Sequence, residues 1–308
     1  MAWTLPGARR GCQPGSVDTF RLRLIGVLMA VACGVLAACA GGDGSQESAA
    51  SGASSTAPTS GAATETATAS TDPGAVSSTF DIGGGRGLYV ECAGTGKPTI
   101  LLEAGDNSDT GQWSPISTSL SEQTRTCAYD RAGLGRSDAA KGCRQLDDLL
   151  GDTEALLEPA RIDPPYVLVG TSGGGYLMAG LAARRPGDVA GLVLLETPKA
   201  ITILPPEVRD QIRCDAPGNV EHRDYRAIEH AVWDHRERLG SFPVRIMTND
   251  YGKYSPPGDE KTNVKDQRGW LVLSSNSKQI IVTSGHDVVW NETDLSLKLI
   301  LDVLREAQ

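Results

Sequence analysis

Tyr166-Val-Leu-Val-Gly-Thr-Ser172-Gly-Gly-Gly-Tyr176-Leu-Met-Ala-Gly-Leu-Ala-Ala183 is the stretch whose reading decides the fold. A short β-branched apolar run meets Gly170-Thr171-Ser172-Gly173-Gly174, and a helical pattern of small residues follows at once. That order predicts strand, tight turn and helix, with a serine at the apex of the turn. The glycines answer a steric need, because so sharp a turn brings strand and helix too close for flanking side chains. The serine hydroxyl is then held over the end of a sheet, beside the amino-terminal end of a helix. Attack on a carbonyl needs that placement. The chain has no G-x-x-x-x-G-K-[ST] phosphate loop, and this stretch does not match G-x-G-x-x-G.

Outward from the turn, the chain from Phe80 alternates strands and helices. Gly87–Cys92, Thr99–Glu103, Thr124–Tyr129, Gly191–Leu195, Pro243–Met247 and Gln279–Thr283 read as strands. Leu146–Ala160, the turn helix to Arg185, and Leu295–Ala307 carry helical periodicity. Alternation of this kind implies an α/β domain with a mostly parallel, doubly wound sheet and helices on both faces. The segment from about 198 to 240 breaks the pattern with Pro205-Pro206 and a charged helical stretch holding His222, His230 and His235. It reads as a small helical cap over the carboxyl ends of the strands, where open α/β sheets bind ligands. A helix on the sheet's flank is the alternative. The three histidines do not share a helical face at i, i+4, so they predict no zinc site.

Four landmarks in order resemble the α/β-hydrolase superfamily: Leu101-Leu-Glu-Ala-Gly105, Tyr129-Asp-Arg-Ala-Gly-Leu-Gly-Arg-Ser137, the Ser172 elbow, and Ser284-Gly-His-Asp287. The resemblance covers the chain from about Phe80 onward and implies that fold. It makes Ser172 the nucleophile and His286 its base, after the last strand and before the final helix. Two carboxylates compete for the third position, Glu196 after strand Gly191–Leu195 and Asp250 after strand Pro243–Met247, and Glu196 is the preferred one. Asp287 reads as a turn residue. Fixed donors for a developing oxyanion are the backbone N–H of Gly173 and, by position in the loop after Glu103, that of Asp106. Superfamily members often have His-Gly in this loop, where Ala104-Gly105 stands here. A carboxylate pointing inward would oppose an oxyanion, so the Asp106 side chain is expected to turn away. The loop from Asp130 to Ser137 is architectural in the superfamily, with Asp130 and Arg131 holding loops.

The implied activity is hydrolysis of a small-molecule carboxylic ester or thioester through an acyl-enzyme, with no cofactor and no metal. Dehalogenases and epoxide hydrolases of the same fold use aspartate in place of this serine. A peptidase or amidase, and a non-catalytic binding lipoprotein that keeps the fold, are the alternatives. In this fold the strand holding Cys127 lies beside the one holding Cys92, which makes that disulfide feasible. Cys143 would then pair with Cys214, one of three pairings open to these four cysteines.

The amino-terminal residues are of another kind. Arg9, Arg10, Arg21 and Arg23 precede an apolar run from Leu24 to Ala38, the layout of a secretory signal. Leu36-Ala-Ala-Cys39 resembles the lipobox of bacterial lipoproteins, in which the cysteine is lipidated after cleavage. Residues 1–38 are thus expected to be a lipoprotein signal peptide, with an ordinary A-x-A cleavage site beside a coincidental cysteine as the alternative. Residues 39–78 are expected to be a lipidated Cys39 with a Ser/Thr/Ala/Gly tether too poor in large apolar groups to fold. Residues 79–308 are expected to form the hydrolase domain, placed by this anchor on the outer face of a bacterial membrane. Four cysteines beyond the anchor suit disulfides in an exported chain. The net charge of −9 argues against a nucleic-acid partner.

Overall fold

The computed structural model describes Asp72 and residues 74–200, 206–251 and 262–308. The signal peptide, Cys39 and the tether up to Thr71 lie outside the described residues. The sheet has eight strands in the order β1-β2-β4-β3-β5-β6-β7-β8. They are β1 Val76–Asp81, β2 Gly87–Ala93, β3 Thr99–Glu103, β4 Thr126–Tyr129, β5 Tyr166–Thr171, β6 Val189–Leu195, β7 Gly240–Asn249 and β8 Ser274–Val282. β2 runs antiparallel to β1 and β4, and every other pairing is parallel. The α-helices are α1 Ser117–Ser121, α2 Leu146–Leu157, α3 Gly173–Arg184, α4 Pro206–Gln211, α5 Tyr225–Trp233, α6 Thr262–Gln267, α7 Val288–Asn291 and α8 Thr293–Ala307.

The period-2 alternation of the central strands builds two cores, one on each face of the sheet. Leu101, Leu168, Leu192, Leu194 and Ile246 join Leu149 and Leu150 of α2, Leu177 and Leu181 of α3, and Ile228 and Val232 of α5. Ile100, Leu102, Val167, Val169, Val193 and Leu195 face Leu299, Ile300 and Val303 of α8. Helix α3 opens with three glycines, each costing about 1 kcal/mol of helix propensity. Burial of Leu177, Met178 and Leu181 offsets this, at roughly 1.5–3 kcal/mol per side chain. Packing, not propensity, holds the helix that follows Ser172.

Two features depart from the sequence reading. Val76–Ser78, assigned to the tether, lie in β1, an edge strand whose Ser and Thr side chains are largely exposed. With little apolar alternation to detect, the strand exists through its ladder to β2. The segment from about 198 to 240 also splits in two. Helix α5 buries Ile228, Val232 and Trp233 against the core shared with α2 and α3, so it lies on the sheet's flank. Residues 219–224 instead reach the site, held by Arg144 N–H on the His222 carbonyl (2.8 Å) and Asp224 N–H on the Arg144 carbonyl (2.9 Å). Disulfides join Cys92 to Cys127 and Cys143 to Cys214. The first lies on directly opposed residues of β2 and β4.

Candidate active site

Ser172 stands between β5 and α3 with φ 49° and ψ −125°, a conformation that side-chain-bearing residues rarely adopt. Such strain costs of order 1–3 kcal/mol and persists only where its surroundings enforce it. Here the Ser172 N–H bonds the Leu195 carbonyl at 2.9 Å, and its own carbonyl accepts from the Gly175 N–H at 3.0 Å. A Cβ at Gly175 would lie 1.8 Å from Thr197 Oγ1, so only glycine lets α3 approach the loop after β6 this closely.

His286 comes from the loop after β8, and its Nε2 lies 2.9 Å from Ser172 Oγ. Its Nδ1 meets the hydroxyl of Tyr251 at 3.3 Å, and that hydroxyl donates to Glu196 Oε1 at 3.0 Å. Glu196, buried at the end of β6, also accepts from Asn263 Nδ2 (2.9 Å) and from the Asn249 N–H (2.5 Å). Burial raises the Glu196 pKa, against those donors and the nearby His286. Burial and the Glu196 carboxylate likewise push the Tyr251 phenol upward. Of the two candidate acids, Glu196 heads the hydrogen-bonded chain to His286. Asp250 accepts from Thr283 Oγ1 at 2.7 Å. Asn249 Oδ1 accepts from the N–H groups of both Tyr251 (3.0 Å) and Ser284 (3.2 Å), tying the loops after β7 and β8 together.

The loop after β3, the expected source of an oxyanion donor, corrects one expectation. The Asp106 carboxylate does not turn away, since a Cβ built on Gly173 would fall 1.9 Å from its Oδ1. Its inward position follows from Arg223, a guanidinium 1% exposed whose Nη1 donates to Asp106 Oδ1 at 2.6 Å. Burial opposes the charge of Arg223, but Asp106 and Glu221 outweigh that and raise its pKa. The Gly173 N–H, at the first position of α3, has no acceptor within its own helix. Arg131 clamps the same loop, donating to the carbonyls of Ala104 (2.7 Å) and Gly105 (2.8 Å) and to the Glu103 carboxylate. Its Nε also meets Glu221 Oε2 at 2.6 Å. Burial would raise Glu221, yet Arg131 and Arg223 overcome it and lower its pKa to about 2. The Asp130–Ser137 loop thus holds its neighbours in place.

An open cleft of about 340 Å³ lies between the loop after Asp106 and the residues that follow His286, lined by Asn107, Ser108, Asp109, Gln112, Asp287 and Trp290 among others and not by Ser172 itself. Gln112 Oε1 accepts from the Gly105 N–H at 2.7 Å, linking the cleft wall to the loop after β3. Asp287 precedes α7 at the wall, its pKa raised by burial against the pull of His286. Two of the histidines in the inserted segment have other partners: His222 Nδ1 meets the Cys214 carbonyl, and His230 Nδ1 meets Asp234. Sequence reasoning missed Tyr251, Arg223, Glu221 and Asn249. Only the Glu-x-Arg spacing at 221–223 inside a polar insertion hinted at paired charge.

The family model described as the alpha/beta hydrolase fold matches residues 98–213, a span holding Ser172 and Glu196 but not His286. Over 199 residues the chain is 23% identical to the uncharacterized protein YqjL of Bacillus subtilis, covering 61% of this chain and 79% of that protein. Over 113 residues it is 34% identical to RutD of Azorhizobium caulinodans, provisionally named a carbamate hydrolase. That match covers 37% of this chain and 42% of the relative, less than half of its length. A thermophilic esterase from Thermogutta terrifontis superposes with a TM-score of 0.58 at 19% identity, over 75% of this chain and 97% of that one. With the sheet order above, these likenesses give the chain the α/β-hydrolase fold.

Proposed function

We propose that the protein is a serine hydrolase that cleaves a small carboxylic ester or thioester through an acyl-enzyme. The observation that carries this reading is the 2.9 Å contact between Ser172 Oγ and His286 Nε2 on a strained elbow. His286 takes the serine proton as Oγ attacks the carbonyl, then gives it to the leaving alcohol or thiol. Water, activated by the same imidazole, releases the acyl group. Glu196 favours the cationic imidazole, and the N–H groups of Gly173 and Asp106 hold the oxyanion. The lipobox-like Leu36-Ala-Ala-Cys39 supports anchoring to the outer face of a membrane.

A fluorophosphonate probe tests the chemistry on the purified protein. Labelling at Ser172 that is lost in Ser172→Ala is the expected result, together with turnover of p-nitrophenyl esters by the wild-type protein that Ser172→Ala lacks. Equal labelling of both proteins, or of neither, would sink the reading. Cys39→Ser should move the protein from the membrane fraction to the supernatant. A second reading, a binding lipoprotein without catalysis, draws on the inward Asp106 carboxylate, which crowds the oxyanion position. Arg223 balances that charge, which favours the enzyme.

A further inference from the structure

We infer that Tyr251 is a positioning residue through which Glu196 acts on His286, so that the serine is served by a four-membered chain rather than a triad. This rests on the serine hydrolase reading and deepens it. The hydrogen bonds fix the order of protons. Nε2 must accept from Ser172 Oγ for the serine to be activated, so Nδ1 carries the imidazole proton. The group facing Nδ1 is the Tyr251 hydroxyl, at 3.3 Å. A phenol has one proton to donate, and it goes to Glu196 Oε1 at 3.0 Å, leaving an oxygen lone pair for the Nδ1–H.

The surroundings maintain this direction. Glu196 also receives Asn263 Nδ2 and the Asn249 N–H, one on each of its oxygens, so that all its named partners are donors and it stands as the acceptor at the end of the chain. Burial and the adjoining carboxylate keep the phenol neutral, so it remains a donor. Tyr251 is held with φ 54° and Glu196 with φ 50°, two strained residues facing each other from the loops after β7 and β6. Asn249 Oδ1 sets the spacing between the Tyr251 and His286 loops by binding the N–H groups of Tyr251 and Ser284. As the imidazole gains a proton, the chain passes the polarisation from Nδ1 to the carboxylate without moving a second proton. Among the described residues, the charged groups acting on His286 are Glu196 and the adjacent Asp287.

The test is a mutant cycle on the intact protein, read by ester turnover against pH. Tyr251→Phe is expected to lower kcat ~100-fold with KM changed less than ~3-fold. The acid limb of kcat/KM should move toward acid, because the Nδ1–H loses the acceptor that links it to the carboxylate. Glu196→Gln should act in the same direction, and the double variant should be no worse than the poorer single one. Asp287→Asn should shift the limb independently of both. Multiplying losses in the double variant, or an unshifted limb in Tyr251→Phe, would overturn the relay. Should Tyr251→Phe not fold, ring-labelled His286 in the wild-type protein still decides: its Nδ1–H is expected to show a cross-relaxation peak to the Tyr251 ring, and absence of that peak overturns the proposal. A wild-type protein that no fluorophosphonate labels would defeat the hydrolase reading itself. A labelled wild type with an unshifted Tyr251→Phe defeats the relay alone.

Discussion

A carboxylate beside a forming oxyanion would raise the barrier it is meant to sit near, unless a fixed cation shares its field. Asp106 and Arg223 meet that condition at 2.6 Å, with the guanidinium sealed from solvent. Breaking a buried ion pair from one side costs about 3–5 kcal/mol, because the remaining charge is left uncompensated. Asp106 keeps some exposure, so the lower end of that range applies. Arg223→Met should therefore destabilise the protein by about 3 kcal/mol in urea melts and lower kcat by at least ~10-fold. Adding Asp106→Asn should recover much of the kcat while recovering less of the stability, since Glu221 still loses a partner at 3.7 Å. If Asp106→Asn leaves the activity of Arg223→Met unchanged, the inward carboxylate is not what Arg223 balances.

At the scale of elements, the site is assembled from loops that follow β3, β5, β6, β7 and β8, together with residues 219–223. The Cys143–Cys214 disulfide closes a separation of 71 residues and ties the loop before α2 to the segment bearing Arg223. The Cys92–Cys127 bond spans 35 residues between β2 and β4, away from the serine. Loop-closure entropy assigns each about 4 kcal/mol at most. Paired Cys→Ser variants should both lower the melting temperature, and only the 143/214 variant should also lose ester turnover at temperatures where it is folded. Equal loss of turnover in both would remove the link to Arg223. The same contrast explains what the sequence could disclose. The elbow turn and the apolar strands are legible because local chemistry dictates them, through glycines at a close approach and β-branched runs in a buried sheet, whereas His286 is picked out by the superfamily resemblance of Ser284-Gly-His-Asp287. Tyr251, Arg223 and Asn249 depend on loops that meet only after the sheet has formed, and no spacing along the chain marks that meeting. Edge strand β1 escaped notice for another reason, because its exposed Ser and Thr side chains carry no burial pattern.

For the whole molecule, pH dependence follows from carboxylates shifted in opposite directions. Glu221, lowered to about 2 from 4.5, contributes stability above about pH 4.5 that is lost as pH falls toward 2. A shift of this size is worth about 3 kcal/mol. Glu103 and Glu196 are raised by burial, so their ionisation costs stability as pH rises past the ordinary carboxylate range. The folded protein should be most stable somewhat on the acid side of neutrality and lose stability steeply between about pH 4.5 and 2. Thermal melts across that range check the curve, and Glu221→Gln should start lower at pH 7 and flatten the acid limb. An unchanged acid limb in that variant would assign the loss to other groups. The edge of the sheet has one further consequence, a mechanical one. If the preceding chain is the proposed tether, a load on it enters the domain at strand β1. Its first rung, Val76 against Cys92, bears that load. Cys92 is bonded to Cys127 on β4, two strands in from the edge. The Asp72 carboxylate also clasps the N–H groups of Gly74 and Gly94 just ahead of that rung. A pull that peels β1 and then the first residues of β2 meets a covalent cross-link at Cys92, before it reaches the parallel strands that precede Ser172, Glu196 and His286.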